Sequence, residues 1–413
     1  MARVSRLFHT RAPTAMRMSE RLYSVAIMWR VSGCFFVANL DPRDLDRARV
    51  TWKSVYSLYS LLCAFILFSF RMLQLWAGAF GDTDSRGALS TSLLELMRNV
   101  IGLESLVAFV VMAVRSSTIL RFLRNASAFE ASVSVPGFHR AKRPCPVPYA
   151  CHVLSFACVV LYSAGHIGWL LIATYRHMAT SQILELLYGV TANALYMASD
   201  YGNKATARAV CEVLVDYVII QADILAQKQK SGLHLKDVEE LRTNMSTIQT
   251  LKEEINMALN PCIVFYCLRA FSVFSISGYM LVKLGFSQVI SALILFYLLN
   301  VAFGLTDLAY VSHALEKETE NVKLSLADII TVDMPSEHVS KIRFIYNTID
   351  PRSMCLSGGG FFAINARTLM HVVEAVVTYV MIFTQAGDMA VSSFKPGTNF
   401  YDQQQDVVAL KNL

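Results

Sequence analysis

The stretch GGFFAINARTLMHVVEAVVTYVMIFTQ, residues 359–385, decides how this chain has to fold. It is mostly apolar and longer than the roughly 20 residues that a helix needs to cross the hydrocarbon core of a bilayer. Steps of three and four residues connect Arg367, His371, Glu374, Thr378, Met381 and Gln385, of which all but Met381 are polar. Residues so spaced lie on one face of a helix. This face has to meet protein or water, since a charge facing lipid is costly.

Two interpretations of this polar face are open from the sequence. In one, it packs against polar groups of neighbouring spans, such as Arg98, Arg269 or Glu104. In the other, several copies of the helix surround an axis and the polar face forms the wall of a pore.

The rest of the chain has the composition of a membrane protein. Of 413 residues, 54% are hydrophobic and 16% are charged, with a mean hydropathy of +0.43. Soluble proteins carry about 25% charged residues, so this chain has too few charges to cover the surface of a soluble protein of its length. The low counts of Gly and Pro, 19 and 10, exclude collagen-like and disordered classes.

Seven stretches qualify as membrane spans and predict an all-α, polytopic membrane protein. They are residues 54–79, 90–114, 149–175, 183–199, 259–282, 286–311 and 359–385, the fourth being the shortest. Residues 22–40 are also apolar, but Arg21 and Arg30 interrupt the pattern. We interpret this segment as an interfacial or cytosol-facing helix, with an additional span as the alternative.

The basic residues orient the chain. Of its 37 Lys and Arg residues, 28 fall in segments 1–53, 115–148, 200–258 and 313–357, and five fall in the segments on the opposite side. The positive-inside rule therefore places the N-terminus in the cytosol and the C-terminus outside. This is the reverse of the topology of a G-protein-coupled receptor.

Segments on the cytosolic side have helical periodicity of their own. Apolar residues at helical spacing in 200–230 and 236–259 are Val210, Val213, Leu214, Val218, Leu225, Leu241, Ile248, Leu251 and Ile255. Residues 316–349 have a similar pattern, and Asn260-Pro261 predicts a kink at entry to the fifth span. A continuous helix over 182–230 is ~70 Å long at ~1.5 Å per residue. Several helices are thus expected to extend into the cytosol and pack there as a bundle.

Enzyme and cofactor signatures are lacking from the sequence. Gly358-Gly359-Gly360 has no following Lys-Ser/Thr pair and is interpreted as a hinge before the last span. No Cys pair has the spacing and His partner of a zinc site. We therefore predict no catalysis, no cofactor, no metal and no nucleic-acid partner.

Polar and aromatic residues recur near the predicted outer ends of the spans. The candidates for ligand binding are Glu95, His166, Trp169, Glu185, Tyr188 and Gln288. Rings beside hydrogen-bonding groups at one depth suit a small polar ligand. The alternative is an interfacial aromatic belt, which Trp and Tyr commonly form.

The end of the last span, Thr378-Tyr379-Val-Met-Ile-Phe-Thr384-Gln385, resembles the Thr-Tyr-x₅-Gln-Phe signature of arthropod gustatory receptors. The preceding run from Gly360 to Asn365 is similar to the approach to the last helix in that family. Length, seven spans and an inside N-terminus agree with it across the chain. The chain departs from the signature at Ala386, where the family has Phe.

The resemblance implies a ligand-gated, non-selective cation channel of the plasma membrane, opened by a small-molecule tastant and assembled as a homo- or hetero-tetramer. It implies that residues 359–386 line the pore, with Gln385 at the outer gate next to Ala386, and Thr378 and Tyr379 deeper. If so, Met381 and Glu374 of the polar face also belong to the pore wall. It also implies an intersubunit anchor at 312–358, beside the cytosolic segments 1–53 and 200–258. Spans one to four then occupy 54–199, spans five and six occupy 259–311, and 387–413 is an extracellular tail.

Other classes remain open at this point. A G-protein-coupled chemoreceptor or a membrane transporter also fits a seven-span chain, although no internal repeat typical of transporters is evident. The basic segment 1–19, with four Arg residues and no acid before Glu20, resembles a mitochondrial transit peptide. The alternative is a basic cytosolic tail, as the orientation requires.

Overall fold

The computed structural model describes residues 18–41, 44–80, 89–133, 180–284, 289–330 and 336–393. Within these ranges the helices are α1 Met18–Val31, α2 Val55–Phe80, α3 Leu89–Ser132, α4 Thr180–Ser231, α5 Leu235–Leu284, α6 Val289–Ile330, α7 Ser336–Thr348 and α8 Ala366–Ser393. Two short antiparallel hairpins pair β1 Val37–Ala38 with β2 Arg49–Val50, and β3 Ser357–Gly358 with β4 Phe362–Ala363. Single 3-10 turns cover Leu45–Arg47 and Pro351–Met354. The chain is thus all-α, as predicted.

Five of the described helices, α2, α3, α5, α6 and α8, are long and apolar enough to cross a membrane. They overlap the predicted spans 54–79, 90–114, 259–282, 286–311 and 359–385 but begin or end at different residues. Helix α4 contains the predicted fourth span, 183–199, but is not one of these five. The predicted third span, 149–175, lies outside the described residues.

Several helices are far longer than a bilayer is thick, which confirms the predicted extensions. Helix α4 has 52 residues and α5 has 50, so α4 is about 78 Å long at ~1.5 Å per residue. A hydrocarbon core is only about 30 Å thick. The apolar residues predicted to form the packing stripes of the extensions are all buried: Val210, Val213, Leu214, Val218, Leu225, Leu241, Ile248, Leu251 and Ile255.

Two boundaries predicted from the sequence were wrong, that of the helix at 22–40 and the start of the last span at 359. The segment 22–40 is not one helix, because α1 ends at Val31 and Gly33 takes a φ of +80° before β1. At 14 residues, or about 21 Å, α1 is too short to span a bilayer. The last span does not start at Gly359, because Gly359 and Gly360 have φ of +67° and +73° and form the turn of the β3–β4 hairpin.

Helix α8 begins at Ala366, where a side chain can cap its first turn. The Asn365 Oδ1 atom accepts a hydrogen bond from the backbone N–H of Thr368 at 3.1 Å, the N-cap geometry that satisfies an otherwise unpaired donor. The polar face therefore keeps all six of its residues, from Arg367 to Gln385, inside the helix.

Pro261, where the sequence predicts a kink, lies inside a helix that continues on both sides of it. Helix α5 runs continuously from Leu235 to Leu284 through this proline. The preceding Asn260 instead serves as an anchor, because its Oδ1 atom accepts a hydrogen bond from the backbone N–H of Gly359. One turn earlier, Asn256 accepts from the Ser357 N–H at 2.9 Å and donates to the Ser357 hydroxyl at 2.8 Å. Two asparagines of α5 thereby hold the β3–β4 hairpin.

Helix α1 docks on α4 through a buried tryptophan. The Trp29 Nε1–H donates to the Thr206 hydroxyl at 3.0 Å, and the ring lies against Gly202, where an added Cβ atom would meet it at 3.0 Å. Arg21 makes a second connection, donating to Asp216 at 2.8 Å. The other buried residues of α1 on this side are Met18, Leu22, Val25 and Ala26.

We expect Trp29→Ala to destabilise the fold by about 3–5 kcal/mol, because it empties a buried aromatic site. Trp29→Phe keeps most of the ring and loses one hydrogen bond, so its cost should be about 1 kcal/mol. Thermal unfolding of the detergent-solubilised chain measures both. Equal melting temperatures for Trp29→Ala and the unmodified chain would contradict this docking.

Candidate functional site

Helix α8 lies on the side of the bundle, packed against α5 and α6. It approaches α5 closely at Gly278, where an added Cβ atom would meet Val380 Cγ2 at 2.8 Å. Leu369 and Val372 are partly buried against the main core. One face of α8 is therefore fixed by packing, and the opposite face is left open.

The open face is the polar stripe predicted from the sequence. Its members, all exposed, are Arg367, His371, Glu374, Thr378, Met381 and Gln385. The Glu374 and His371 side chains are 70% and 68% exposed and lie 3.4 Å apart. The stripe is thus left exposed by the other described helices of the chain.

The structure contradicts the alternative in which this stripe packs against Arg269 and Glu104. These two residues pair with each other, with Arg269 Nη1 2.8 Å from Glu104 Oε2, and their side chains are only 1% and 4% exposed. The third suggested partner is Arg98, whose side chain is not among those that the structure describes.

The charged cluster around Arg269 joins three helices, and the sequence did not predict it. Arg269 of α5 also contacts Asp200 of α4 at 2.9 Å and donates to the Tyr196 hydroxyl at 2.6 Å. Asp200 is in turn 2.9 Å from Lys204. The available signal was the presence of Arg269 and Glu104 inside apolar spans, since such residues pair with one another.

A second ionic cluster lies nearer the predicted cytosolic side. Arg208 of α4 contacts Glu212 at 2.8 Å and also bonds Asp307 of α6. Glu212 is 3.9 Å from Arg21 of α1. This cluster ties α1, α4 and α6 together below the Arg269 cluster.

Tyr379 connects α8 to the outer part of the bundle through aromatic contacts. Its ring is perpendicular to that of Phe271, with centroids 5.1 Å apart, and lies 6.1 Å from Phe383. Phe383 is 6.3 Å from Tyr279, which is buried with Leu93, Ile276 and Met280 in a small cluster of its own. Ala386, at the position where the gustatory-receptor signature has Phe, is partly buried.

The predicted ligand-binding residues are only partly within the described ranges. Glu95 is half-buried on α3. Tyr188 faces α2, where its hydroxyl donates to the Ile66 carbonyl at 2.9 Å and its ring packs edge-on against Phe70 at 5.7 Å. His166, Trp169 and Gln288 lie outside the described residues, as does the side chain of Glu185. A pocket formed by all six therefore stays a prediction.

Two buried thiols outside the membrane-spanning segments are weakly reactive. Burial raises the pKa of both Cys211 and Cys355 to about 12, so both are protonated at neutral pH and are poor nucleophiles and metal ligands. The Cys355 thiol also donates to Glu316 at 3.1 Å. Among the residues that the structure describes, no group of three or more His, Cys, Asp or Glu side chains is arranged to hold a metal ion.

Comparison with known proteins agrees with this architecture. Residues 26–390 match the family model described as 7tm chemosensory receptor. The fold is similar to the insect olfactory receptor OR5 from Machilis hrabei, with a TM-score of 0.66 and 14% identity over 88% of this chain and 97% of that one. The same receptor in complex with eugenol gives a TM-score of 0.65 and 13% identity, with the same coverage. No curated protein sequence matches the chain.

We expect Arg269→Met to destabilise the fold by about 3–5 kcal/mol, because it leaves Glu104 buried without its partner. Adding Glu104→Gln to this variant removes the orphaned charge and should restore part of the lost stability. Melting temperatures of the single and double variants, with Arg269→Lys as a charge-preserving control, measure the coupling. Additive effects of the two substitutions would refute a direct pair.

Proposed function

Since the chain belongs to the 7tm chemosensory receptor family, we propose that it is a ligand-gated, non-selective cation channel opened by a small-molecule tastant. The observation that carries this proposal is the polar stripe on α8, exposed along its whole length on an otherwise apolar helix. A stripe with this exposure needs water or a partner subunit in the membrane, because lipid solvates neither Glu374 nor Arg367.

The pore requires several copies of α8 around one axis, since a single helix encloses no space. Exposed apolar residues beside the stripe, Val373, Val377 and Ile382, suit contact with the next copy. The resemblance to gustatory receptors favours four copies, identical or mixed with related subunits. In this arrangement the N-termini face the cytosol and the long extensions of α4, α5 and α6 carry the contacts between subunits below the plasma membrane.

Charge along the stripe supports passage of cations. A ring of four Glu374 carboxylates attracts cations and repels anions directly. Arg367 lies two helical turns, about 10 Å, nearer the predicted cytosolic end. At physiological ionic strength the Debye length is about 8 Å, so Arg367 in a water-filled vestibule is largely screened from that ring.

We place the tastant in the outer half of the subunit, around Glu95, Tyr188 and the predicted residues Glu185, His166, Trp169 and Gln288. The aromatic contacts from Tyr279 through Phe383 to Tyr379 give such a ligand a direct mechanical route to α8. The similarity in fold to a receptor that binds eugenol, a small organic molecule, supports a ligand of comparable size.

Whole-cell recording from cells that express the chain tests this function. Panels of sugars, bitter compounds and small aromatic molecules should include at least one that evokes a current carried by both Na⁺ and K⁺. An epitope at the N-terminus should be stained only after permeabilisation. Staining of intact cells, together with responses that need a G protein, would instead support a G-protein-coupled receptor.

We expect Glu374→Gln to lower the cation-to-anion permeability ratio about two- to fivefold, because it removes the acidic ring from the pore wall. Reversal potentials in ion-substitution recordings give the ratio. Glu374→Asp keeps the charge and is the matched control. Unchanged reversal potentials in Glu374→Gln would exclude α8 as the selectivity element.

We expect Gln385→Ala to raise the resting current, because it removes a hydrogen-bonding side chain from the outer constriction. A loss of about 1 kcal/mol from the closed state corresponds to an increase of about fivefold in resting open probability. Thr384→Ala is the control, since that hydroxyl donates to the Val380 carbonyl of its own helix. Resting current at the original level, with normal surface expression, would show that Gln385 is not part of the gate.

A further inference from the structure

A cavity of about 270 Å³ lies at the predicted cytosolic end of α8, away from the outer residues assigned to the tastant. It is bounded by α5, α6, the first turns of α8 and the β3–β4 hairpin. Its apolar walls include Cys267, Phe271, Leu305, Ala309, Leu369 and Val372. His371 lines the cavity and is also exposed on the stripe, so it marks the mouth.

The lining selects an uncharged and largely apolar occupant. Two of its few polar side chains are already engaged, because Asn365 caps α8 through the Thr368 N–H and Thr368 also contacts the Asn365 side chain. His371, at the mouth, is 3.4 Å from Glu374. The interior therefore offers little to a charged ligand, whose desolvation would be costly.

The volume of the cavity also limits the size of the molecule that it can bind. An engineered apolar cavity of about 150 Å³ stays dry and binds benzene. A cavity almost twice as large has room for a bicyclic molecule or a benzene ring with several substituents. Filling it restores contacts that the lining residues otherwise lack.

The cavity is placed where it can control the position of α8. The helix meets α5 closely at Gly278 and Val380, whereas Leu369 and Val372 in its first turns pack only partly against the core and also line the cavity. The stripe runs along the neighbouring face of the helix and borders the cavity at His371. Movement of the first turns of α8 into the cavity therefore carries the stripe away from the proposed pore axis and widens the pore.

We propose that this cavity is a second ligand site, which binds a small uncharged apolar molecule and thereby holds α8 in place and reduces the current. Binding rests on the cavity itself. The effect on current rests on the proposed channel function. The two parts are therefore measured separately.

Photolabelling of the full chain in membranes tests the binding. The probe is 3-phenyl-3-trifluoromethyl-diazirine, an uncharged aryl carbene precursor, and labelled peptides are identified by mass spectrometry. Saturable labelling is expected at the cavity segments of α5, α6 and α8. Ala309→Phe fills the cavity from α6 and should reduce that labelling at least fivefold, and Ala375→Phe does so independently from α8. The matched control is Leu299→Phe, at a position of α6 that is 56% exposed.

The labelling results distinguish a specific site from lipid contact, from an acyl-chain site and from a failure of the proposed channel function. Labelling that excess unlabelled probe does not reduce, or that survives both filling variants, would show only contact from lipid and overturn the site. Protection by added palmitate, but not by the unlabelled probe, would assign the cavity to an acyl chain and also overturn the proposal. Saturable labelling in a chain without any ligand-evoked current would leave the site intact and refute the channel instead. In a chain with current, the probe should reduce it, and Ala309→Phe should abolish that reduction.

Discussion

The guanidinium group of Arg269 holds together the three long helices on which the other parts of the bundle are arranged. It reaches Glu104 on α3 and Asp200 on α4 from its own place on α5, and it is nearly inaccessible to solvent. Buried charges are tolerated only with partners in good geometry, so these helices have little freedom to slide along one another. The Tyr196 hydroxyl accepts a hydrogen bond from Arg269, and Lys204 pairs with Asp200.

Helix α5 transmits this fixed arrangement to the proposed pore. On one side it carries Arg269, and on another it meets α8 at Gly278, Phe271 and Tyr279. Asn256 and Asn260 of the same helix hold the hairpin that leads into α8. The hairpin before α8 and the part of α8 from Tyr379 to Phe383 are thus both positioned by α5, and the polar stripe is left exposed.

A structural feature of this chain could be predicted from the sequence where residues close in sequence determine it, and not where it depends on residues from distant helices. Periodicity identified the long helical extensions, since residues such as Leu214 and Ile248 recur at helical spacing and are buried. It also identified the stripe, because polar residues on an apolar helix are conspicuous. The hairpin at Gly359 was missed, because an apolar segment with glycines also resembles the start of a span. The partners of Arg269 were missed because they come from helices distant in sequence. Tyr188 was assigned to a pocket, but its neighbours on α2 could not be seen from composition.

The length of α4 and α5 has a mechanical consequence. A straight helix of about 78 Å is a lever: tilting it by ~3° around one end displaces the other by ~4 Å. Such a tilt strains each residue contact only slightly, so it costs little at any one place along the helix. A rearrangement at the outer end too small to expose any buried side chain can therefore produce, at the far end of the helix, a displacement of about the radius of a hydrated ion.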